Sequence, residues 1–144
     1  MQVRTCLWFD GGGREATTFY VSLLPDSRIE GHHAPDPGAS FQIIDFTLAG
    51  TPYRILDAGP GFPQTEAASI LVTTPDQTDT DRLWAALTDG GQAGRCGWLK
   101  DRWGVSWQIV PAELPTLLGH PAAMQALMGM SRIDLAGVRA AITG

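Results

Sequence analysis

One order of elements occurs twice along this chain, and that repetition constrains the fold more than any other feature. VRTCLWF (3–9) is rich in β-branched and aromatic residues and reads as a strand. GGREATTFYVSLLP follows, with Ala16, Phe19, Tyr20, Leu23 and Leu24 at helical spacing and Pro25 as the stop. SRIEGHHAPDPGAS gives one short strand and then a loop marked by prolines and glycines. FQIIDFTLAGTPYRILDAG reads as a hairpin turning at Gly50–Thr51, with strands near 40–48 and 52–58. The order then restarts.

AASILVTT (67–74) is a strand with Ile70 and Val72 on one face and Ser69, Leu71 and Thr73 on the other. DTDRLWAALTDGG is a helix with Leu83, Trp84 and Leu87 inward and Gly90–Gly91 as its stop. CGWLKDRWGVSWQIVP (96–111) supplies the last strands. Each half therefore reads strand–helix–strand–strand–strand, an α+β order with an internal duplication and not an alternating βαβ chain. Past Pro111 the pattern turns helical. TLLGHPAAMQALMGM carries Leu117, Met124, Leu127 and Met128, and SRIDLAGVRAAI opens with a Ser131/Asp134 capping-box pattern. At 144 residues this reads as a single domain: module one over about 2–60, module two over about 66–111, and a helical segment over about 112–144.

Composition narrows the function. The chain is 44% apolar and 17% charged, a globular balance. Its net charge of -5, with no basic cluster, repels phosphate backbones and argues against nucleic acid as a partner. No apolar run approaches the ~20 residues needed to span a bilayer, so no membrane partner is expected. The N-terminus reaches Asp10 and a glycine run too early for a signal peptide. The two cysteines, Cys6 and Cys96, lack CxxC spacing and read as reduced thiols of a cytoplasmic protein.

Several stretches invite a chemical reading. Gly11-Gly12-Gly13-Arg14-Glu15-Ala16 matches G-x-G-x-x-A between a strand and a helix, the pattern of a dinucleotide or S-adenosylmethionine site. Asp10 and Glu15 flank that turn and would repel a pyrophosphate, and the doubly wound sheet is missing, so we reject it. His32 and His33 are adjacent, would point to opposite faces of a strand, and read as part of a solvated loop with Pro35, Asp36 and Pro37. His120, before Pro121, has no ligand partners at metal spacing and reads as a helix-end or surface residue. Cys96, between Arg95 and Lys100, is a candidate nucleophile, but a half-buried thiol is the plainer reading; Cys6 reads as core. Trp107 alternates with Val105 and Ile109 and should pack under a helix. Trp98 and Trp103 flank the LKDR turn and could serve core, cavity or interface.

LWFDGGGREATTFYVSLLPDS, EAASILV, GRCGWLKDRWGVSWQIVP and LMGMSRIDLAGVRAA together resemble the PhnB-like branch of the vicinal-oxygen-chelate (glyoxalase/bleomycin-resistance/dioxygenase) superfamily. The likeness runs over nearly the whole chain. It implies two βαβββ modules forming a curled half-barrel sheet around a cavity, a glyoxalase-like fold, with C-terminal helices added. In the superfamily's metalloenzymes four His or Glu side chains project into that cavity. Carried over by motif, the first position falls on Thr5, the third on Ser69 and the fourth on Gln108. The second lies in YRILDAG, where Leu56 and Asp57 both stay open. Val105, Trp107 and Ile109 would face the helices, and Ser106, Gln108 and Val110 the cavity, which Cys96, Trp98 and Trp103 would also line.

Hydroxyls and an amide hold a divalent cation poorly against water, whereas zinc and iron sites use imidazole, thiolate or carboxylate. The resemblance therefore implies a metal-free, cofactor-free small-molecule binder with an unidentified small organic ligand. The alternative is a lyase, isomerase or dioxygenase-type enzyme with an atypical site, using Asp57, Cys96 or a histidine. Members of this branch are often labelled 3-demethylubiquinone 3-methyltransferase, an activity the rejected glycine motif leaves without support. The superfamily's habit of covering strand edges by pairing chains implies a homodimer.

Overall fold

The computed structural model describes residues 1–36 and 39–144, so Pro37 and Gly38 of the expected loop lie outside the described residues. It divides into two compact units, Met1–Gln64 and Thr65–Gly144.

The first unit runs β1 (Thr5–Phe9), α1 (Gly13–Leu23), β2 (Arg28–His33), β3 (Gln42–Leu48) and β4 (Thr51–Asp57). The second runs β5 (Ile70–Thr74), α2 (Gln77–Thr88), β6 (Gln92–Ala93), β7 (Trp98–Lys100) and β8 (Ser106–Pro111), then three helices, α3 (Leu114–Leu117), α4 (Pro121–Met128) and α5 (Leu135–Thr143). Each unit builds a four-stranded mixed sheet. The orders are β1-β4-β3-β2 and β5-β8-β7-β6, with the first strand of each unit parallel to its last and the other pairs antiparallel. The duplicated strand–helix–strand–strand–strand order is thus the order of the fold, α+β with C-terminal helices added.

In the first unit one sheet face packs under α1. Tyr53 pairs with Phe46 on β3 and with Thr5 on β1, which puts Ile44, Phe46, Leu48, Tyr53, Ile55, Leu7 and Phe9 in one row set by the period-2 pleat. Tyr20 of α1 meets Phe46 with ring centroids 6.5 Å apart, and Phe46 stacks on Tyr53 at 5.5 Å. Tyr20, Phe46 and Ile55 are fully buried. The β3–β4 turn closes on Ala49 (φ 46) and Gly50 (φ 82), with Leu48 pairing Thr51. Both turn residues sit at positive φ, the tight turn whose twist suits a hairpin, and it lies one residue earlier than the pattern placed it.

In the second unit α2 covers the face carrying Leu99, Trp107 and Ile109, all buried, with Leu83 and Leu87 pointing in; Trp84 is only half-buried. The last three helices build a small core of Leu114, Ala123, Leu127, Ile133 and Val138. Gln77 ties α2 to them, its Nε2 donating to the Ile133 carbonyl at 2.9 Å and its Oε1 accepting from the Leu135 N–H at 2.9 Å.

Some sequence expectations are corrected. Cys6 is exposed, because Leu7 and Phe9 hold the buried face and Cys6 takes the other. His32 and His33 end strand β2 instead of sitting in a loop, His32 facing Gln42 (2.8 Å). The helix expected around 116–130 breaks in two at Gly119–His120. His120 caps α4, its Nδ1 accepting the Ala122 N–H at 3.3 Å. The Ser131/Asp134 capping box is not formed: Asp134 is itself the N-cap of α5, accepting from Ala136 at 3.1 Å.

Candidate functional site

On the face of the second sheet away from α2, strand alternation sets Gln108 beside Trp98 on β7 and Leu71 on β5. Gln108 Nε2 donates to Ser69 Oγ at 2.9 Å. The two neutral side chains satisfy one another, and Trp98 (half-buried) and Leu71 (58% exposed) give them an apolar surround. One residue pair further along, Lys100 lies opposite Ser106 on the same face. Lys100 Nζ is 2.7 Å from Glu66 Oε1, and this hydrogen bond holds the Glu66 carboxyl below its ordinary 4.5. A cavity of about 240 Å³ opens here, with Glu66, Gln92, Trp98, Lys100 and Ser106 among its walls. Ser106 is 2% exposed. Its Oγ has no hydrogen-bond partner, alone in this among the buried side-chain oxygens and nitrogens of the described residues.

The turn between β7 and β8 is built on Asp101, a buried carboxylate. Oδ1 accepts the backbone N–H of Trp103 at 2.9 Å and of Val105 at 3.0 Å, and Oδ2 accepts the Trp107 indole N–H at 2.9 Å. Gly104, at φ 84, donates to the Asp101 carbonyl at 2.9 Å. Asp followed three residues on by Gly is the signature of such a turn, so this anchor is readable in DRWG. Trp103 sits half-buried at this turn, with the Arg102 guanidinium 5.0 Å from its ring.

Cys96 takes another direction. It stands at φ 55, donates its N–H to the Met130 carbonyl at 2.8 Å, and packs against the C-terminal helical core with Sγ 3.6 Å from the Leu127 carbonyl. Val110 packs against the same core. Neither therefore joins the Gln108–Ser69 group.

In the first unit, Thr5 shares a row with Tyr53, Leu7 and Phe9, while Cys6 pairs with Arg54 on the opposite face. The same register sets Leu56 and Asp57 on opposite faces of β4. Leu56 points away from α1 and lines a cavity with Ser40 and Phe41. Asp57 points to the start of α1, where its Oδ1 accepts the Gly11 N–H at 2.6 Å and its Oδ2 the Gly13 N–H at 2.9 Å. Gly12, at φ 76, is the helix N-cap. The Gly11 and Gly13 amides, which a phosphate at this turn would need, are thus already bonded to a carboxylate of the chain itself.

The face of the first sheet away from α1 is a lattice of paired charges. Arg54 meets Asp45 with Nε to Oδ1 at 2.6 Å and Nη2 to Oδ2 at 2.8 Å. That hydrogen bonding holds the Asp45 carboxyl below its ordinary 3.8, against the opposing effect of burial. Glu30 accepts from Thr47 Oγ1 at 2.6 Å and lies 2.6 Å from Arg4, and these hydrogen bonds hold it below 4.5.

The metalloenzymes of the superfamily raise the question of a metal. Ser69 and Gln108 offer a hydroxyl and an amide already bonded to one another, Asp57 has both oxygens on backbone amides, and Cys6 pairs with Arg54 across the β1–β4 ladder. Among the described residues no group of three or more His, Cys, Asp or Glu side chains is placed to hold an ion. Within each unit taken by itself, the donors at these positions are a poor match for the imidazole, thiolate and free carboxylate that transition metals take.

The comparisons with known proteins agree with the fold. The family model described as 3-demethylubiquinone-9 3-methyltransferase matches residues 1–110. A PhnB protein from Bacillus cereus is 29% identical over 78% of this chain and 100% of its own, with a TM-score of 0.72. Protein PA1353 from Pseudomonas aeruginosa, 22% identical over 77% of this chain and 97% of its own (TM-score 0.64), shares the fold. So does the fosfomycin resistance protein FosX from Mesorhizobium loti, at 13% identity over 83% of this chain and 98% of its own (TM-score 0.60). No curated protein matches the sequence. Family model, fold and duplicated element order coincide: the chain belongs to the PhnB-like 3-demethylubiquinone-9 3-methyltransferase family of the vicinal-oxygen-chelate (glyoxalase) superfamily.

Proposed function

We propose that this chain is a metal-independent small-molecule-binding protein, with its ligand held on the sheet face that carries Ser69, Trp98 and Gln108. The Gln108–Ser69 hydrogen bond carries the reading. Two positions where the superfamily's metalloenzymes present ion ligands are here neutral and mutually satisfied. What surrounds them is aromatic and aliphatic surface with a few convergent polar groups, the make-up of an organic-ligand site. The family name speaks of methyl transfer, but the Gly11 and Gly13 amides that could receive a nucleoside cofactor's anion are engaged by Asp57.

Elemental analysis of purified protein, combined with a thermal-shift screen of small organic compounds, tests the proposal. The expected result is substoichiometric metal and at least one compound that raises Tm, with the shift lost in Gln108→Ala. Stoichiometric zinc, nickel, manganese or iron, with Tm falling on chelation, would overturn it. A homodimer in the cytoplasm belongs to the same proposal, and light scattering behind size exclusion tests the pairing; among the described residues no helix is long and apolar enough to cross a membrane.

A further inference from the structure

We infer that the ligand of this face is a small organic carboxylate with a flat apolar body, its carboxylate received jointly by Ser106 and Lys100. The inference rests on the binding reading above and deepens it. A hydroxyl that is 2% exposed and lacks any partner is an exception that native structures seldom keep, because a buried polar group loses water and gains nothing. Ser106 is that exception, and it lines a cavity instead of solid core. A ligand atom would satisfy it.

The neighbours specify the charge of that atom. Lys100 lies directly opposite Ser106 across the β7–β8 ladder, so ammonium and hydroxyl rise from adjacent positions on one face. Lys100 is bonded to Glu66 at 2.7 Å, which leaves further N–H donors on the ammonium. A cationic ligand would meet that ammonium, and the Glu66 carboxylate on the same wall is already bonded to it. A neutral ligand would satisfy Ser106 and gain little from Lys100. An anionic oxygen takes a donor from each, and such charge-assisted bonds are the stronger kind.

The cavity, about 240 Å³, equals the volume of about eight waters, room enough for a small aromatic carboxylate. Trp98 on the same wall offers a flat apolar surface to the rest of the molecule.

Benzoate, its neutral isostere benzamide and its cationic counterpart benzylamine serve as probes, read by amide and indole NMR shifts and by Tm. Benzoate at millimolar concentration should perturb the Ser106, Lys100 and Trp98 resonances, and benzamide should bind at least about tenfold more weakly. Ser106→Ala should raise the Tm of the ligand-free protein, since it removes the unsatisfied hydroxyl, and should abolish the benzoate-dependent shift. Lys100→Gln should weaken benzoate about tenfold while leaving benzamide unchanged. Benzamide or benzylamine binding as tightly as benzoate would overturn the carboxylate inference and leave the binding reading standing. So would benzoate perturbing neither Ser106 nor Lys100. Stoichiometric bound metal would instead overturn the binding reading itself.

Discussion

Asp57, at the end of β4, accepts the backbone N–H of Gly13 at 2.9 Å, and its other oxygen accepts that of Gly11 at 2.6 Å. A single carboxylate thereby closes the β1–α1 turn and meets the positive end of the helix. Its part is to hold the first unit together, and the prediction follows from that. Asp57→Ala should cost about 1–2 kcal/mol in urea denaturation, the scale of a lost helix cap. The same variant should bind any ligand of the Gln108 face with unchanged affinity. An Asp57→Ala protein of wild-type stability that had lost ligand binding would contradict this assignment.

Gly13 is irreplaceable for a steric reason. A Cβ there would lie 2.8 Å from Ile55 Cγ2 and 3.1 Å from Asp57 Cβ, both anchored on β4. Alanine is better than glycine by about 1 kcal/mol inside a helix, so Gly13→Ala would ordinarily stabilise. Here the clash should win, and we expect a net loss of about 1–3 kcal/mol, the range for overpacking a tight site. A Tm equal to or above wild type would show that β4 and α1 can separate freely.

The Asp45–Arg54 pair makes stability depend on pH in a defined direction. The Asp45 carboxyl titrates below its ordinary 3.8 in the folded protein because Arg54 hydrogen-bonds its charged form. The folded state therefore binds fewer protons at this group than the unfolded state does. The contribution is fully present above pH 3.8 and is lost as pH falls through the depressed folded value. Arg54 is 42% exposed, so solvent screening keeps the effect at or below about 1 kcal/mol. Denaturation of wild type and Asp45→Asn at pH 7 and again in the acid limit should show the gap between them closing at low pH. A gap that widens would reverse the sign.

The element order of both units was legible because period-2 and period-3.6 patterns are written over the whole of each strand and helix. The Ser69–Gln108 face followed from the same alternation, with Trp107 and Ile109 fixing which side is buried. In the first unit alternation alone did not fix the register to one residue. A slip of one along a strand exchanges its faces, so Thr5 lies in the Tyr53 row while Cys6 looks out, and of the Leu56/Asp57 pair the carboxylate turned to the helix. Nothing in TCLWF or RILDAG distinguishes those registers, since both faces carry apolar side chains. Cys96 was opaque for another reason: its left-handed backbone (φ 55) breaks the alternation just before β7 and turns the thiol toward Leu127. Ser106 had its face assigned correctly by alternation, but a missing hydrogen-bond partner is visible only in three dimensions.

Asp101 offers the largest predicted loss. It is 3% exposed and gathers the Trp103 and Val105 N–H groups and the Trp107 indole N–H within 3.0 Å. Trp107 is 1% exposed, so its indole N–H cannot turn to water when the carboxylate is removed. Each buried donor left unsatisfied costs about 1–3 kcal/mol, so Asp101→Ala should lose about 3 kcal/mol or more. Asp101→Asn keeps one carbonyl acceptor, in place of two carboxylate oxygens, and should fall between the two. Because β7 and β8 meet at this turn, the Lys100–Ser106 pair one step along the ladder should loosen with it. Near-ultraviolet circular dichroism of the tryptophans and urea denaturation would measure both effects. An Asp101→Ala protein within about 1 kcal/mol of wild type, its tryptophan signal intact, would mean that the DRWG turn holds itself without the buried carboxylate.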